Sequence, residues 1–385
     1  MTKTISNKIL LITNIPTPYR IPLFNELYEQ LKNKGLKLTV LFGAYCYPYR
    51  KWDVDLSSCN FDFRVLSSRH LMLLDNERVV FTYPGLINLV LRDEPRAVIT
   101  NAFSPATTKL WLISWFKKIR YLIWSGAIES KGQPDSPIRK IHRKLLVRKA
   151  VGFIAYGTKA KDYLVNLGAK PEDIEIGINT VDIQFFRSRT KPSQGEIRKR
   201  WGTNGKKILL YVGYLVRRKR LDLLLKSIKI LAAKRRDFVL KIVGDGPERE
   251  KMVDLSDRLN LQDLVIFEGY KQKDDLIEIY TEADCFLFPT EFDIWGLVLV
   301  EAMAAGLPCI VSIHAAATHD LIIDGVNGFA MDFADSIEVA KKIEMIMDNP
   351  HFARKIGEEA RRLIEAKASL AKSAEGFVRA IERAL

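Results

Sequence analysis

Two carboxylates frame the chemically richest stretch of this chain. Asp293 and Glu301 stand eight residues apart, and Gly296, Leu297 and Val298 lie between them. From Gly296 to Ala305 the residues favour a helix, which Gly306 stops and Pro308 seals. A helix start offers free backbone amides and the positive end of the helix dipole, so it attracts anions. Gly296 lets a phosphate come close to the backbone. Carried on a continuous helix, the two acids would sit ~12 Å apart along its axis. That spacing suits a nucleotide diphosphate sugar, with sugar hydroxyls at Asp293, diphosphate at the amides and the ribose diol at Glu301. An acid at position 301, deep in an apolar helix, is poorly explained by packing alone.

The elements that must position these groups follow from apolar patterning. Cys285–Phe288 is a short apolar run that reads as a strand ended by Pro289. Ile208–Gly213 is another, followed by a basic turn, Arg217-Arg-Lys-Arg220, and a helix from about Leu221 to Ala233. Phe238–Val243 leads into Gly244-Asp-Gly-Pro247, and Val265–Tyr270 is a further strand and loop. The first half repeats the alternation. Lys8–Thr13 is a strand, Asn14–Arg20 a loop, Ile21–Leu31 a helix and Leu36–Phe42 a strand. Ala97–Thr100, Tyr121–Trp124 and Val151–Tyr156 add more strands. Compact apolar strands alternating with helices predict doubly wound parallel sheets.

The 385 residues, 48% of them hydrophobic, predict two domains with separate cores. Cys46, Cys59, Cys285 and Cys309 are scattered, which argues against a zinc site or disulfide framework and fits a reducing cytosol. The histidines are isolated, and no metal is assigned. The apolar cluster Leu110–Phe116 is too short to span a bilayer, and the N-terminal residues lack a signal-peptide core. The expected location is cytoplasmic, either free or peripheral on the inner membrane face. A net charge of +14 is compatible with nucleic acid, anionic membrane or anionic small substrates. No nucleic-acid module or aromatic stacking platform accompanies it, so no nucleic-acid partner is expected.

The run Trp295-Gly-Leu-Val-Leu-Val-Glu-Ala-Met-Ala-Ala-Gly-Leu-Pro308 resembles the acidic signature of the retaining family 4 (group 1) glycosyltransferases. Asp293 stands where that signature has its first Glu. The resemblance reaches nearly the whole chain and is strongest over residues 208–330. It implies the GT-B fold, α/β with two Rossmann-like domains facing each other across a cleft. The implied division is an acceptor domain over 1–186, a linker over 187–206 and a nucleotide-sugar domain over 207–365. A helix over 366–385 would pack back on the first domain. It also implies roles. Gly213, Arg218 and Lys219 would meet the donor diphosphate with Gly296, Leu297 and Val298. Tyr214 stands where relatives carry a basic residue, and Arg217 or Arg218 would restore that charge. Tyr270 would neighbour the base, and Asp293, Lys219 and Glu301 form the catalytic set. The donor would be a UDP-, GDP- or similar sugar, the acceptor a glycan or lipid-linked molecule, and no cofactor or metal is expected. The activity implied is retaining hexosyl transfer in polysaccharide or lipopolysaccharide synthesis. Rivals are an epimerase or phosphorylase of the same architecture, and a membrane-bound scaffold without activity.

Other residues carry alternative readings. Arg20 either points a cation at the acceptor or sits in solvent on a Pro-stiffened turn. Ser125 and Glu129, after a strand, are further acceptor candidates. Asp53 and Asp55 lack a preceding buried strand and read as loop rather than metal ligands. Helix Thr107–Lys118, with Trp111 and Trp115, packs on the sheet or docks on a membrane. Helix Pro137–Lys149, capped by Ser136, pairs Ile138, Ile141, Leu145 and Leu146 with a basic face. It suits either solvent or an anionic leaflet.

Overall fold

The computed structural model describes residues 6–47, 52, 54–66, 68, 70–72, 79–129, 135–187 and 205–385. Asp53 and most of the linker expected over 187–206 lie outside the described residues. The chain forms two compact units, Met1–Val181 with Leu370–Leu385, and Asp182–Ser369.

Unit 1 is built on a parallel sheet. Its early strands are β1 (Lys8–Thr13), β2 (Lys37–Phe42) and β3 (Asp62–Val65). An antiparallel hairpin follows, β4 (His70–Met72) with β5 (Val79–Phe81). The sheet resumes with β6 (Ala97–Asn101), β7 (Tyr121–Ser125), β8 (Gly152–Ala155) and β9 (Ile174–Ile176). The order β3-β2-β1-β6-β7-β8-β9 puts a topological switch between β1 and β6. The helices between strands are α1 (Arg20–Lys32), α2 (Leu86–Asp93), α3 (Pro105–Ile113), α4 (Pro137–Lys149) and α5 (Thr158–Asn166). Five of the six β1 residues are buried, as they must be when helices cover both faces of a sheet. Helix α3 is shorter than its sequence suggests. Ser104 caps it and it ends at Ile113, so Trp115 lies beyond it.

Unit 2 begins with α6 (Ile183–Arg187). Its sheet holds β10 (Lys207–Val212), β11 (Phe238–Val243), β12 (Val265–Gly269), β13 (Cys285–Phe288), β14 (Cys309–Ser312) and β15 (Phe329–Met331). The order β12-β11-β10-β13-β14-β15 repeats the pattern of unit 1, with the switch between β10 and β13. Its helices are α7 (Leu221–Ala232), α8 (Arg249–Arg258), α9 (Lys273–Glu282), α10 (Leu297–Ala304), α11 (Ala316–Leu321), α12 (Ser336–Asp348) and α13 (Pro350–Lys367). Leu224, Leu225 and Ile228 of α7 join Leu240 and Ile242 of β11 in the core. The ends of β10, β11 and β12 are held together by backbone bonds. Gly213 N donates to Val243 O at 2.9 Å, and Gly244 N to Gly269 O at 2.8 Å. A side chain at Gly244 would lie 1.9 Å from the Gly213 carbonyl, so the contact requires glycine. A buried ion pair joins β11 to α9: Lys241 donates to Glu282 at 2.9 Å, both almost fully buried. Burial raises the Glu282 carboxyl pKa, and Lys241 opposes that rise.

The last helix, α14 (Leu370–Ala384), belongs to unit 1. Phe377 meets the Trp124 ring at 5.0 Å, and Ser373 Oγ donates to the Ile178 carbonyl at 2.7 Å. The large apolar residues of the strands and this amphipathic helix thus close one side of the first sheet.

Candidate active site

The two loops flanking the switch of unit 2 supply the site. After β10 the chain makes a short 3-10 turn, Arg217–Lys219, and Arg220 takes a left-handed conformation, φ +47°. Hydrogen bonds of 3.0 and 3.2 Å from its guanidinium to Asp222 hold that conformation, costly for a side-chain-bearing residue. The loop after β13 is sewn to this turn. Glu291 N donates to the Arg218 carbonyl at 2.8 Å, Thr290 Oγ1 donates to the same oxygen at 3.2 Å, and Arg218 donates to the Phe292 carbonyl at 3.2 Å.

This stitching brings Lys219 to Asp293. The Lys219 ammonium donates to Asp293 Oδ2, and both residues are 8% exposed. Arg218 comes within 3.9 Å of the same oxygen. Trp295 N donates to Oδ1 at 3.1 Å. Burial alone would raise the Asp293 pKa, but Lys219 and Arg218 outweigh it and hold the carboxyl below its ordinary value. The Lys219 ammonium also sits 4.7 Å from the centre of the Phe288 ring. A side chain at Gly296 would meet that same ring at 2.7 Å, and Gly296 has φ +97°. Glycine is therefore required where the loop turns into α10. The amides of Leu297 and Val298, in the first turn, have no acceptor within the helix.

The helical spacing expected for the two acids does not hold. Asp293 lies outside α10, in an extended bridge to Ala315, because the left-handed turn at Gly296 delays the helix until Leu297. Glu301 lies within α10 and meets a different set of groups. Tyr280 Oη donates to its Oε2 at 2.8 Å. Burial pushes the Glu301 carboxyl up to about 7, while Tyr280 and Lys273 oppose the rise. Lys273, at the start of α9, stands 4.0 Å over the Phe185 ring. Burial lowers its pKa, against the pull of Asp182, Asp274 and Glu301. Phe186 of α6 packs edge-on against Tyr280, with ring centres 5.8 Å apart.

Lys273 and Tyr280 escape the sequence analysis. They lie seven residues apart on one helix, and a lysine in a first helical turn opposes the dipole. That mismatch was the available signal. Tyr211 also escapes it: its buried hydroxyl has no hydrogen-bond partner among the described residues and lies 2.9 Å from where a side chain on Gly213 would begin. Burial raises the Tyr211 pKa. Arg218, not Arg217, is the arginine that reaches Asp293. Arg217 lines a cavity of about 590 Å³ beside Lys219, with Tyr211, Arg220, Lys226 and Glu291. Tyr270 stands at the end of β12 and donates to Gln272 at 3.1 Å.

The acceptor candidates lie in unit 1. Arg20 begins α1, buried to 7% exposure, so the solvent-exposed turn considered for it does not form. Ser125 is buried at the end of β7, and its Oγ accepts from Ala127 N at 3.0 Å. Glu129 is exposed.

Two Rossmann-like parallel sheets of this order are the architecture of the GT-B fold. Comparison with known proteins agrees. Residues 193–363 match the family model "Glycosyl transferases group 1". The chain is 27% identical, over 80% of its length and 87% of the relative's, to the capsular polysaccharide biosynthesis glycosyltransferase CapM of Staphylococcus aureus. It is 26% identical, over 62% of each chain, to alpha-D-kanosaminyltransferase of Streptomyces kanamyceticus. The chain spans 44% and 49% of the length of two other curated relatives. Anabaena HepE in complex with UDP superposes with a TM-score of 0.79 at 18% identity, over 97% of this chain and 99% of that one. The chain is thus recognised by its 193–363 region as a relative of the group 1 glycosyltransferases, and it resembles those of polysaccharide synthesis.

Proposed function

We propose that this chain is a retaining glycosyltransferase that moves a sugar, of hexose type, from a nucleotide diphosphate sugar to a glycan or lipid-linked acceptor. One observation carries the proposal: Lys219 and Arg218 converge on Asp293 at the switch of unit 2, beside the open amides after Gly296. Ligands of open α/β sheets bind outside the strand ends at such switch points. HepE has been seen with UDP and with UDP-glucose, which favours a uridine donor.

In this mechanism the donor diphosphate competes with Asp293 for Lys219 and takes charge-assisted bonds from Lys219 and Arg218. Gly213, Leu297 and Val298 offer it close backbone. Asp293, released in part, accepts from donor sugar hydroxyls. Glu301 takes the ribose diol, aimed by Tyr280 and Lys273, and Tyr270 borders the base. The bond between the anomeric carbon and the phosphate oxygen breaks as an acceptor hydroxyl oxygen bonds to that carbon on the same face. The hydroxyl proton passes to the departing phosphate oxygen, and the nucleoside diphosphate leaves. The two cations stabilise the charge growing on the leaving group. Neither a resident metal nor a cofactor enters this scheme.

A thermal-shift panel of UDP, GDP and ADP sugars identifies the donor, and product analysis with and without a glycan acceptor identifies the reaction. Donor conversion without acceptor would replace transfer by epimerisation. A melting temperature unmoved by every nucleotide sugar would leave the scaffold reading.

We further propose that unit 1 touches an anionic membrane at the cytoplasmic face through α3 and α4. Ile138 is 82% exposed and Ile141 60%, while Leu146 and Val147 are the buried residues of α4. The apolar stripe read from the sequence is therefore split: Leu146 is buried, while Ile138, Ile141 and Leu145 face out. Thr108 and His142 join the two helices at 3.1 Å. Trp115 and Phe116, 63% and 83% exposed, follow α3. Lys149 stands 4.8 Å over the Trp115 ring, and Arg139, Lys140 and Lys144 are exposed on α4. Exposed aromatic and aliphatic residues amid lysine and arginine fit the boundary of an anionic leaflet. Among the described residues no helix is long and apolar enough to cross a membrane.

A further inference from the structure

Arg20 is a buried cation that forms no ion pair among the described residues. Its guanidinium lies 4.0 Å from the Trp124 ring centre and 5.2 Å from that of Tyr156. One terminal nitrogen donates to Tyr156 Oη at 2.6 Å. The other terminal nitrogen is buried and has no hydrogen-bond partner among the described residues. Trp124 Nε1 and Thr17 Oγ1 are also buried, with no hydrogen-bond partner among the described residues. Thr17 belongs to the same turn, since its carbonyl accepts from Arg20 N at 3.0 Å. Tyr156 gives no anion to balance the arginine, because burial raises its pKa.

The inventory is lopsided. Arg20 and Trp124 can only donate, Thr17 can donate, and their unused N–H and O–H groups face no acceptor. An unpaired buried cation is expensive, and its usual partner is an anion. Arginine suits planar or tetrahedral oxyanions, which it binds through two nitrogens. Aromatic rings lead from the guanidinium to a neighbouring cavity. Tyr19, 5.3 Å from the Arg20 guanidinium, packs edge-on to Trp52, with ring centres 5.9 Å apart. Trp52, Tyr45 and Tyr47 then line a cavity of about 160 Å³ with Ile15 and Pro16. Asn14 ties its wall in place: its amide donates to Tyr47 Oη at 2.8 Å, and Tyr83 Oη donates to its carbonyl at 2.6 Å.

We infer that unit 1 carries its own oxyanion site, in which Arg20, Trp124 and Thr17 bind the phosphate or carboxylate group of an anionic sugar acceptor, with the aromatic cavity holding its ring. This inference deepens the transferase proposal and rests on it for the word acceptor. The site's residues all belong to unit 1, and none of them is a residue of the diphosphate clamp. The site narrows the acceptor from any glycan to one bearing a negative charge.

The test uses the full chain and two variants, Arg20→Gln and Arg20→Lys, titrated with inorganic phosphate and with acetate and followed by melting temperature. Saturating UDP is present, so that Lys219 and Arg218 are occupied. A parallel series uses Lys219→Met without UDP, which keeps the Arg20 readout valid if the chain binds no nucleotide. Wild type and Lys219→Met are expected to show a saturable rise with one of the two anions. Arg20→Gln should weaken that binding about tenfold or more, the scale of a lost hydrogen bond to a charged group. Arg20→Lys should retain part of it. Phosphate preference assigns a phosphorylated acceptor, and acetate preference an acidic sugar. Far-ultraviolet circular dichroism establishes that Arg20→Gln folds. An anion response equal in wild type and Arg20→Gln overturns the inference. So does the absence of any response in the wild type, which would leave a water molecule as the partner of these groups. Absence of a UDP effect alone would refute the donor proposal and leave the Arg20 site standing.

Discussion

Replacing Asp293 by Asn separates the charge at the clamp from its shape. The amide keeps an acceptor for Trp295 N, now held at 3.1 Å, but removes the anion facing Lys219. Lys219 is then a buried ammonium beside Arg218 that has lost its charged bond to position 293. Breaking a buried pair by deleting one partner costs about 3–5 kcal/mol. The slight exposure of Lys219 and its contact with the Phe288 ring soften this to roughly 2–4 kcal/mol. For a domain of this size each kcal/mol moves the midpoint by roughly 2–4 °C, so a fall of roughly 5–15 °C is expected. The distinctive part is the response to UDP. Saturation at 100 times the dissociation constant stabilises any protein by about 2.7 kcal/mol. At one fixed UDP concentration the variant should gain more than the wild type, because the diphosphate now supplies the missing anion without displacing Asp293. Scanning fluorimetry over a UDP series measures both effects. A variant that melts like the wild type and shows the same UDP response would refute the pairing as the heart of the clamp. Sugar transfer by the variant should fall, since the donor hydroxyls lose their anionic acceptor.

Glu301 provides a pH test. Its carboxyl, raised by burial to about 7, binds a proton in the folded state at pH values where the unfolded chain has lost it. Its contribution to stability is therefore fully present below the ordinary carboxylate value near 4.5 and is lost as pH rises through about 7. Glu301→Gln should melt higher than the wild type at pH 8, with the gap closing toward pH 5, and should bind the nucleotide sugar poorly at both. A variant with unchanged donor affinity would remove Glu301 from the site. For the membrane proposal, neutralising Arg139, Lys140, Arg143 and Lys144 should abolish cosedimentation with phosphatidylserine vesicles. Wild-type binding should weaken with salt, and salt-insensitive binding of the neutralised variant would contradict the proposal.

Much of the fold is legible in the sequence because buried parallel strands are written as short apolar runs. Lys8–Thr13 and Cys285–Phe288 stand in the structure with those same bounds. The helix Pro137–Lys149 does too, since Ser136 and Pro137 mark its start by their chemistry. What that helix buries is not legible. Ile138, Ile141 and Leu146 look equivalent by periodicity, and packing alone decides that Leu146 is inside. The site divides the same way. Gly296 and the basic turn announce themselves by residue type, whereas the Lys219–Asp293 bond joins residues 74 apart through two loops stitched by backbone bonds. Lys273 and Tyr280 carry no motif, and their meeting with Glu301 depends on how α9 packs beside α10. Arg20 illustrates the converse: its loop reads equally as pointing a cation at the acceptor or as solvent-facing, and only the packing of Trp124 in β7 and Tyr156 just after β8 shows that it is buried.

The most direct test of the donor clamp is a calorimetric titration of the wild type and Lys219→Met with UDP-, GDP- and ADP-sugars. One donor should bind the wild type, and Lys219→Met should weaken it at least about tenfold, as expected for a lost charge-assisted hydrogen bond. Equal affinity for that donor in the two proteins, with both folded, would contradict the assignment of the site.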